Sequence, residues 1–436
     1  MLKTIKEMSL NNLIKNGLFF LILSLPFFAF LTIFLCSIFG HYTAIRLYPE
    51  TVLLILMFLS SYYLIKNKSQ AKVFFNDNLI RLIILFSIID IVAGLIAYYN
   101  HGVSLKAFGY GLIIDLRIYL VFTVGYLISL KFKLKESTLY KLILYPAIAV
   151  VGFGLLQILV LPNNFLSHFG YNKSTILPFE TINNNSKYVR IISFLRGSNP
   201  LGTYLILPFS ALFMLLITKS KDRLKIIIAI LAAALVLLFS FSRSSWIGVV
   251  LAIAVIIYFK IPSTALRKKL IYLTIGFLII ISIITIVFRN NTVFSNLVFH
   301  TQANSKSAQS SDGGHLSALK SGINDIAKFP LGSGTGTAGP ASVYNVAQPR
   351  IAENFYIQIG QETGVQGLIV FLCIQLLVIY RLFKIKSNIS LVMLASFIGI
   401  SFVNLLSHAW ADQTIAYVWW GLAGLIISRY SLKSGQ

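Results

Sequence analysis

The sequence predicts an all-α integral membrane protein with about twelve transmembrane helices, forming a single polytopic domain over residues 1–436. Three observations lead there. Of the 436 residues, 57% are hydrophobic and only 11% are charged, against roughly a quarter charged in soluble domains. Apolar runs long enough to cross about 30 Å of hydrocarbon recur along the whole chain. Short basic groups separate those runs, the pattern that fixes orientation in a bilayer.

The runs begin near residues 18, 51, 79, 108, 140, 199, 223, 244, 269, 364, 388 and 412. The first, Leu18 to Phe39, follows Lys3, Lys6 and Lys15 but is longer than a signal-peptide core and has no small-residue cleavage site, so it reads as a retained helix. The net charge of +24 would point to nucleic acid if it formed one basic soluble face. It is instead spread between the spans, so no nucleic-acid partner is expected. Cys36 and Cys373 both sit inside apolar runs, which argues against a disulfide framework or a thiolate site.

With the N-terminus in the cytoplasm, 24 of the 37 lysines and arginines fall in cytoplasmic segments. They include Lys66, Lys68, Lys72 and Arg81, then Lys131 to Lys141, Lys219 to Lys225, Lys260 to Lys269, and Arg381 to Lys386. The positive-inside rule then places both termini in the cytoplasm. All six histidines, His41, His101, His168, His300, His315 and His408, fall on or near the opposite, extracytoplasmic face.

Two extracytoplasmic connections, 162–198 and 289–355, exceed ordinary loop lengths, as functional or disordered loops do. The second opens with a polar stretch, Thr301 to Gly314. Behind Asp312, Leu316, Leu319, Ile323 and Ile326 then keep a helical period until Pro330 and Gly332 end it. This predicts a short amphipathic helix on the membrane surface or over a cavity.

Four stretches carry groups suited to chemistry. Arg190 to Tyr204 brings Arg190, Arg196 and Asn199 to the start of a helix. Arginine forks bind phosphate oxygens and a helix N-terminus favours anions, although the same arginines also suit interfacial snorkelling or lipid headgroups. Phe239 to Trp246 is a short polar hinge that puts Arg243 at the membrane boundary beside hydroxyls. A charge there calls for an anionic substrate or serves as a topological anchor. Pro330 to Pro340 is glycine-rich but lacks the G-K-[ST] ending of a nucleotide loop, so a tight packed loop over a cavity is expected.

The fourth stretch is Glu353 to Glu362. Asn354, Gln358 and Glu362 recur every four residues and form a polar stripe that should face protein rather than lipid. Glu353 stands at its water-facing end, where a carboxylate can act as a general base or simply favour the helix dipole. His315 is a second candidate base. Asp90, Asp115 and Arg117 lie within spans, with Asp115–Arg117 or interhelical pairing as their default account. No D-x-D, H-E-x-x-H or Cys/His cluster occurs, so neither a metal nor a cofactor is expected.

Taken in order, the motifs resemble the bacterial O-antigen ligase and O-antigen/exopolysaccharide polymerase superfamily over about residues 185–370. They are R-x-x-S-x-L-x-G-x-N-P-L-G-x-Y-L at Arg190 to Leu205, S-R-S-x-W-x-G at Ser242 to Gly248 and G-H-L-x-A-L at Gly314 to Leu319. P-L-G-x-G-x-G-x-A-G-P-A-S follows at Pro330 to Ser342, then E-N-x-Y and E-x-G-x-x-G at Glu353 to Gly367.

The resemblance implies a GT-C-type glycosyltransferase in the bacterial cytoplasmic membrane, acting on a polyprenyl-pyrophosphate-linked glycan at the outer leaflet. It assigns the pyrophosphate to Arg190 and Arg243, with Arg196 a weaker addition, and other substrate contacts to Asn199, Asn354, Gln358 and Glu362. Glu353 is the first choice as base and His315 the second. Where ligases carry a histidine before asparagine, this chain has Glu353-Asn354, which turns the expectation toward a polymerase. A ligase is the alternative, and a flippase or transporter for the same lipid-linked sugar is another. Flippase and chain-length regulator proteins are the partners such a polymerase implies.

Overall fold

The computed structural model describes residues 2–100, 102–182, 185–219, 221–270, 272, 276 and 311–434. The described residues are mostly helical. Its helices are α1 (Leu2–Ser24), α2 (Phe28–Phe39), α3 (Tyr42–Arg46), α4 (Tyr48–Lys66), α5 (Lys68–Asn76), α6 (Asn78–Asn100), α7 (Leu105–Lys131) and α8 (Glu136–Leu159). After a two-stranded hairpin, β1 (Glu180–Ile182) and β2 (Asn185–Arg190), come α9 (Ser198–Thr218), α10 (Arg223–Phe239) and α11 (Arg243–Lys260). The last are α12 (Ser311–Lys328), α13 (Phe355–Ile385), α14 (Asn388–Asn404) and α15 (Gln413–Ser434).

Among the described residues, eight helical stretches are long and apolar enough to cross a membrane: Leu10–Phe39, α4, α6, α7, α8, α9, α11 and α13. Of the other expected runs, those from residues 223, 388 and 412 form α10, α14 and α15, which are not among these eight, and the run from residue 269 lies almost wholly outside the described residues. Leu54, Phe58, Ile65 and Leu231 are among the large side chains left exposed on α4 and α10. For a polytopic membrane protein that surface faces lipid rather than water.

Pro26 breaks the first stretch into α1 and α2 through one 3₁₀ turn, Leu25–Phe27. Proline has no N–H to continue the ladder, and the Leu25 carbonyl accepts from both the Phe28 N–H and the Thr414 hydroxyl, the latter at 2.9 Å. The centre of the bundle is the α7–α15 pair. A Cβ on Gly424 would lie 2.2 Å from the Phe122 carbonyl oxygen, and one on Gly125 2.5 Å from that of Gly421. Only glycine permits that backbone approach, the usual device of helix contacts in a bilayer. Trp410, Trp419 and Trp420 fill the space beside this pair, all essentially unexposed.

At one end of the bundle, Arg381 near the end of α13 grips Asp77 ahead of α6 with two bonds of 2.7 Å, and Tyr126 donates to the same carboxylate at 2.5 Å. Burial pushes the Asp77 carboxyl up, but Arg381 and Tyr126 more than offset it and hold the group below its usual range. At the other end, where α7, α9, α11, α13 and α15 begin, lie the polar segments. The 162–198 segment contains the β1–β2 hairpin, which pairs Glu180 with Arg190. The predicted amphipathic helix is α12, docked on α13 through Asp325. Its carboxylate accepts from Arg350 at 2.8 and 3.1 Å and from Gln361 at 2.8 Å.

Candidate functional site

Arg190 ends β2 and is buried at the start of α9. Its Nε donates to the Ser240 carbonyl at 3.0 Å, its Nη2 to Asn199 Oδ1 at 2.7 Å, and its Nη1 lies 3.6 Å from Glu180 Oε2. The guanidinium therefore pins the hairpin to the close of α10 and the opening of α9. Glu180 also accepts from the Ser198 hydroxyl and lies 3.4 Å from its N–H, a carboxylate placed where the helix dipole favours it.

Arg243 is the first residue of α11, reached through Phe241 at φ +51. Ser242 and Ser245 share a hydroxyl bond of 2.8 Å, and Ser245 meets Thr203 of α9 at 3.2 Å. This hydroxyl seam fixes the two helix openings side by side. Burial lowers the Arg190 guanidinium, Glu180 opposes that, and the charge of Arg243 lowers it further. Two guanidinium groups within electrostatic range of each other form a place where an anion is stabilised.

Asn354 proves to be the N-cap of α13. Its Oδ1 accepts from Ile357 N–H at 3.1 Å, and its Nδ2 donates to the Leu405 carbonyl at 3.0 Å. It thereby ties the α13 opening to the link 405–412 between α14 and α15. Glu353, one residue earlier, holds a left-handed backbone at φ +51, a conformation that costs energy for a non-glycine residue and concentrates at functional sites. Beside it sits His408. Burial pushes this imidazole down to about 4, against the opposing charge of Glu353, so it is neutral at pH 7.

The same link carries Asp412, whose carboxyl burial raises while Arg196 and Arg117 pull it back. Arg196 itself is exposed. Arg117 pairs across helices, 3.8 Å from Glu50, and donates to the Ala411 carbonyl. Gln413 donates to Glu50. Arg190, Arg243, Arg196, Asn199, Glu353 and Asn354 thus all lie at the end of the bundle where α9, α11, α13 and α15 open.

Gln358 and Glu362 lie elsewhere. Both are fully buried, and the space they face is filled by the glycine-rich loop rather than open as a cavity. Glu362 accepts from the N–H of Gly336 at 2.8 Å and of Ala338 at 3.3 Å, while Gln358 donates to its other oxygen at 3.3 Å. The loop itself dips between α6, α7 and α13. Gly332, Gly334, Gly336 and Gly339 all have positive φ, and a Cβ on Gly336 would lie 2.6 Å from Ala107 backbone atoms. Thr335 at its tip donates to Asp90 at 2.5 Å.

The loop also completes a broken helix. At Gly364 the α13 backbone turns to φ +72, and the freed carbonyls of Gln361 and Glu362 accept from Ser333 and Gly334 at 2.8 and 2.9 Å. Gln358 and Glu362 thus meet the glycine-rich loop directly, Glu362 through two of its backbone N–H groups. His315 lies on α12 with its side chain outside the described residues. His408, Asp412 and the Glu50–Arg117 pair were not picked out as site residues from sequence. Their signal was a His, a Trp and an Asp crowded into the short link before α15.

The fold and its polar end define a multi-pass helical membrane protein with paired cations and a carboxylate gathered where several helices open. Residues 201–372 match the family model described as O-Antigen ligase. That stretch runs from the first turn of α9 into α13 and takes in Arg243, the glycine-rich loop and Glu353, while Arg190 and Arg196 precede it. Over these residues the chain is similar to the O-antigen ligase/polymerase superfamily. No curated protein matches the chain.

Proposed function

We propose that the protein is a polysaccharide polymerase of the bacterial cytoplasmic membrane, joining oligosaccharide repeat units carried on polyprenyl pyrophosphate. The polar end of the bundle faces the extracytoplasmic side in this reading, because the basic groups between spans favour the other side. The observation that carries it is the juxtaposition of Arg190 and Arg243, two cations within electrostatic range where α9 and α11 open.

The reaction is glycosyl transfer of GT-C type. A hydroxyl of the acceptor glycan attacks the anomeric carbon of the donor. The bond from that carbon to the phosphate oxygen breaks, and polyprenyl pyrophosphate departs with the bonding electrons. Glu353 takes the hydroxyl proton. Charge grows on the leaving pyrophosphate, so arginines fixed beforehand stabilise the transition state more than the ground state. His408 beside Glu353 is neutral at pH 7 and adds no positive charge of its own there. Asn354 fixes its approach by capping α13.

The family model's own description supports a second reading, a ligase that delivers the finished glycan to a lipid acceptor. The Glu353-Asn354 pair, in place of histidine and asparagine, favours the polymerase. Arg243→Ala and Glu353→Ala variants in the producing cell test the proposal. A polymerase defect leaves surface glycans of one repeat. Long chains that fail to reach their lipid acceptor would instead identify a ligase, and normal glycans in both variants would refute the site.

A further inference from the structure

A polymerase joins two lipid-linked molecules, so two pyrophosphates must lie at one membrane face, yet the Arg190–Arg243 corner accounts for one. A second cationic place lies beside the opening of α7. The Arg46 guanidinium lies 5.4 Å from the centre of the Tyr110 ring and bonds its hydroxyl, with Tyr344 also within bonding reach. Lys106 stands 4.2 Å over the Tyr344 ring, and the two tyrosines meet edge to face at 5.4 Å. Ser104 holds the Tyr344–Asn345 segment on the α7 opening, donating its hydroxyl to the Tyr344 carbonyl at 2.9 Å and its N–H to Asn345 Oδ1 at 3.0 Å.

Among the described residues neither Arg46 nor Lys106 has a carboxylate within ion-pair distance, whereas Arg117, Arg190 and Arg350 each do. Two cations without acids, braced on aromatic rings at the level of the helix openings, suit a phosphate-bearing ligand. A polar seam joins this place to the site. Glu50 is one turn beyond Arg46, and it pairs with Arg117, which bonds Ala411 next to Asp412. Tyr110 and Arg117, seven residues apart, share one face of α7 about 10 Å apart along its axis.

We propose that Arg46 and Lys106, with Tyr110 and Tyr344, bind the pyrophosphate of the acceptor lipid while Arg190 and Arg243 bind that of the donor. The assignment rests on the polymerase reading. Only the donor's pyrophosphate gains charge as its bond breaks, and so needs the buried, bond-locked arginine. The acceptor's phosphates keep their charge throughout and need only anchoring, which partly exposed cations on tyrosine rings supply.

The test counts undecaprenyl pyrophosphate bound to the full-length protein, by native mass spectrometry from phosphatidylcholine nanodiscs. The wild type should bind two equivalents, and Arg46→Ala/Lys106→Ala and Arg243→Ala one each. Lys106→Glu, at an exposed position outside the packing, should weaken one equivalent about ten- to a hundredfold and leave the other unchanged. One equivalent on the wild type, or two undiminished equivalents on Lys106→Glu, would overturn the second site alone. Displacement of that equivalent by phosphatidylglycerol would show an ordinary headgroup site and overturn it as well. No binding at all would defeat the polymerase reading along with it.

Discussion

Glu362 accepts the backbone N–H of Gly336 at 2.8 Å, so a carboxylate buried in α13 holds the tip of a loop that enters the bundle from the site end. Removing it leaves two buried donors without an acceptor. Glu362→Ala should destabilise the protein by about 2–4 kcal/mol, whereas Glu362→Gln, which keeps an acceptor oxygen, should cost about 1 kcal/mol. Thermal unfolding in nanodiscs distinguishes the two. Equal losses would mean the loop does not depend on that oxygen.

Gly334 gives a sharper steric case. Its φ of +97 and the 2.1 Å that would separate a new Cβ from the Ala97 Cβ leave no room for a side chain. Gly334→Ala should fail to accumulate in the membrane, and Gly334→Ala with Ala97→Gly should recover only part, because the backbone strain stays. Immunoblots of membrane fractions measure both.

Asn354 combines a cap with an interhelical tie. Asn354→Asp keeps the acceptor for Ile357 but loses the donor to Leu405, and Asn354→Ala loses both. The alanine should cost about 1 kcal/mol through the cap alone. If Glu353 is the base, both variants should lower the rate more than stability, because the link carrying His408 is no longer held to α13. An unchanged turnover number in Asn354→Asp would detach the link from catalysis.

His408 sets a pH dependence with a definite sign. Its folded value of about 4 lies below the ordinary 6.5, so between these values the unfolded chain binds the proton and the folded one does not. Its contribution to stability is complete above about pH 6.5 and is lost as pH falls toward 4. His408→Gln should flatten that part of the stability curve. A wild-type curve already flat from pH 6.5 to 4 would contradict the burial.

The apolar helices were legible because hydropathy and spacing are local properties, and Arg190 and Arg243 drew attention because each sits beside hydroxyls and a helix start. What sequence could not convey is pairing over distance. Asp77 and Arg381 are 304 residues apart, and nothing near either announces the other. Gln358 and Glu362 were correctly read as facing protein, but their spacing does not reveal that a loop with four positive-φ glycines fills the space. Asn354 was read as part of that stripe although an asparagine just before a helix is also a capping signal. His408 and Asp412 sit on a link too short to show a motif and acquire neighbours only when α13, α14 and α15 come together.

The central claim is that the Arg190–Arg243 corner and Glu353 together polymerise lipid-linked repeats. The most direct measurement supplies the purified full-length protein in nanodiscs with polyprenyl-pyrophosphate-linked repeat units and reads product length by gel and mass spectrometry. The wild type should build a ladder of increasing repeats and release polyprenyl pyrophosphate, while Arg243→Ala and Glu353→Gln should leave single repeats with the pyrophosphate attached. Wild-type ladders from both variants, or no ladder from the wild type, would contradict the account.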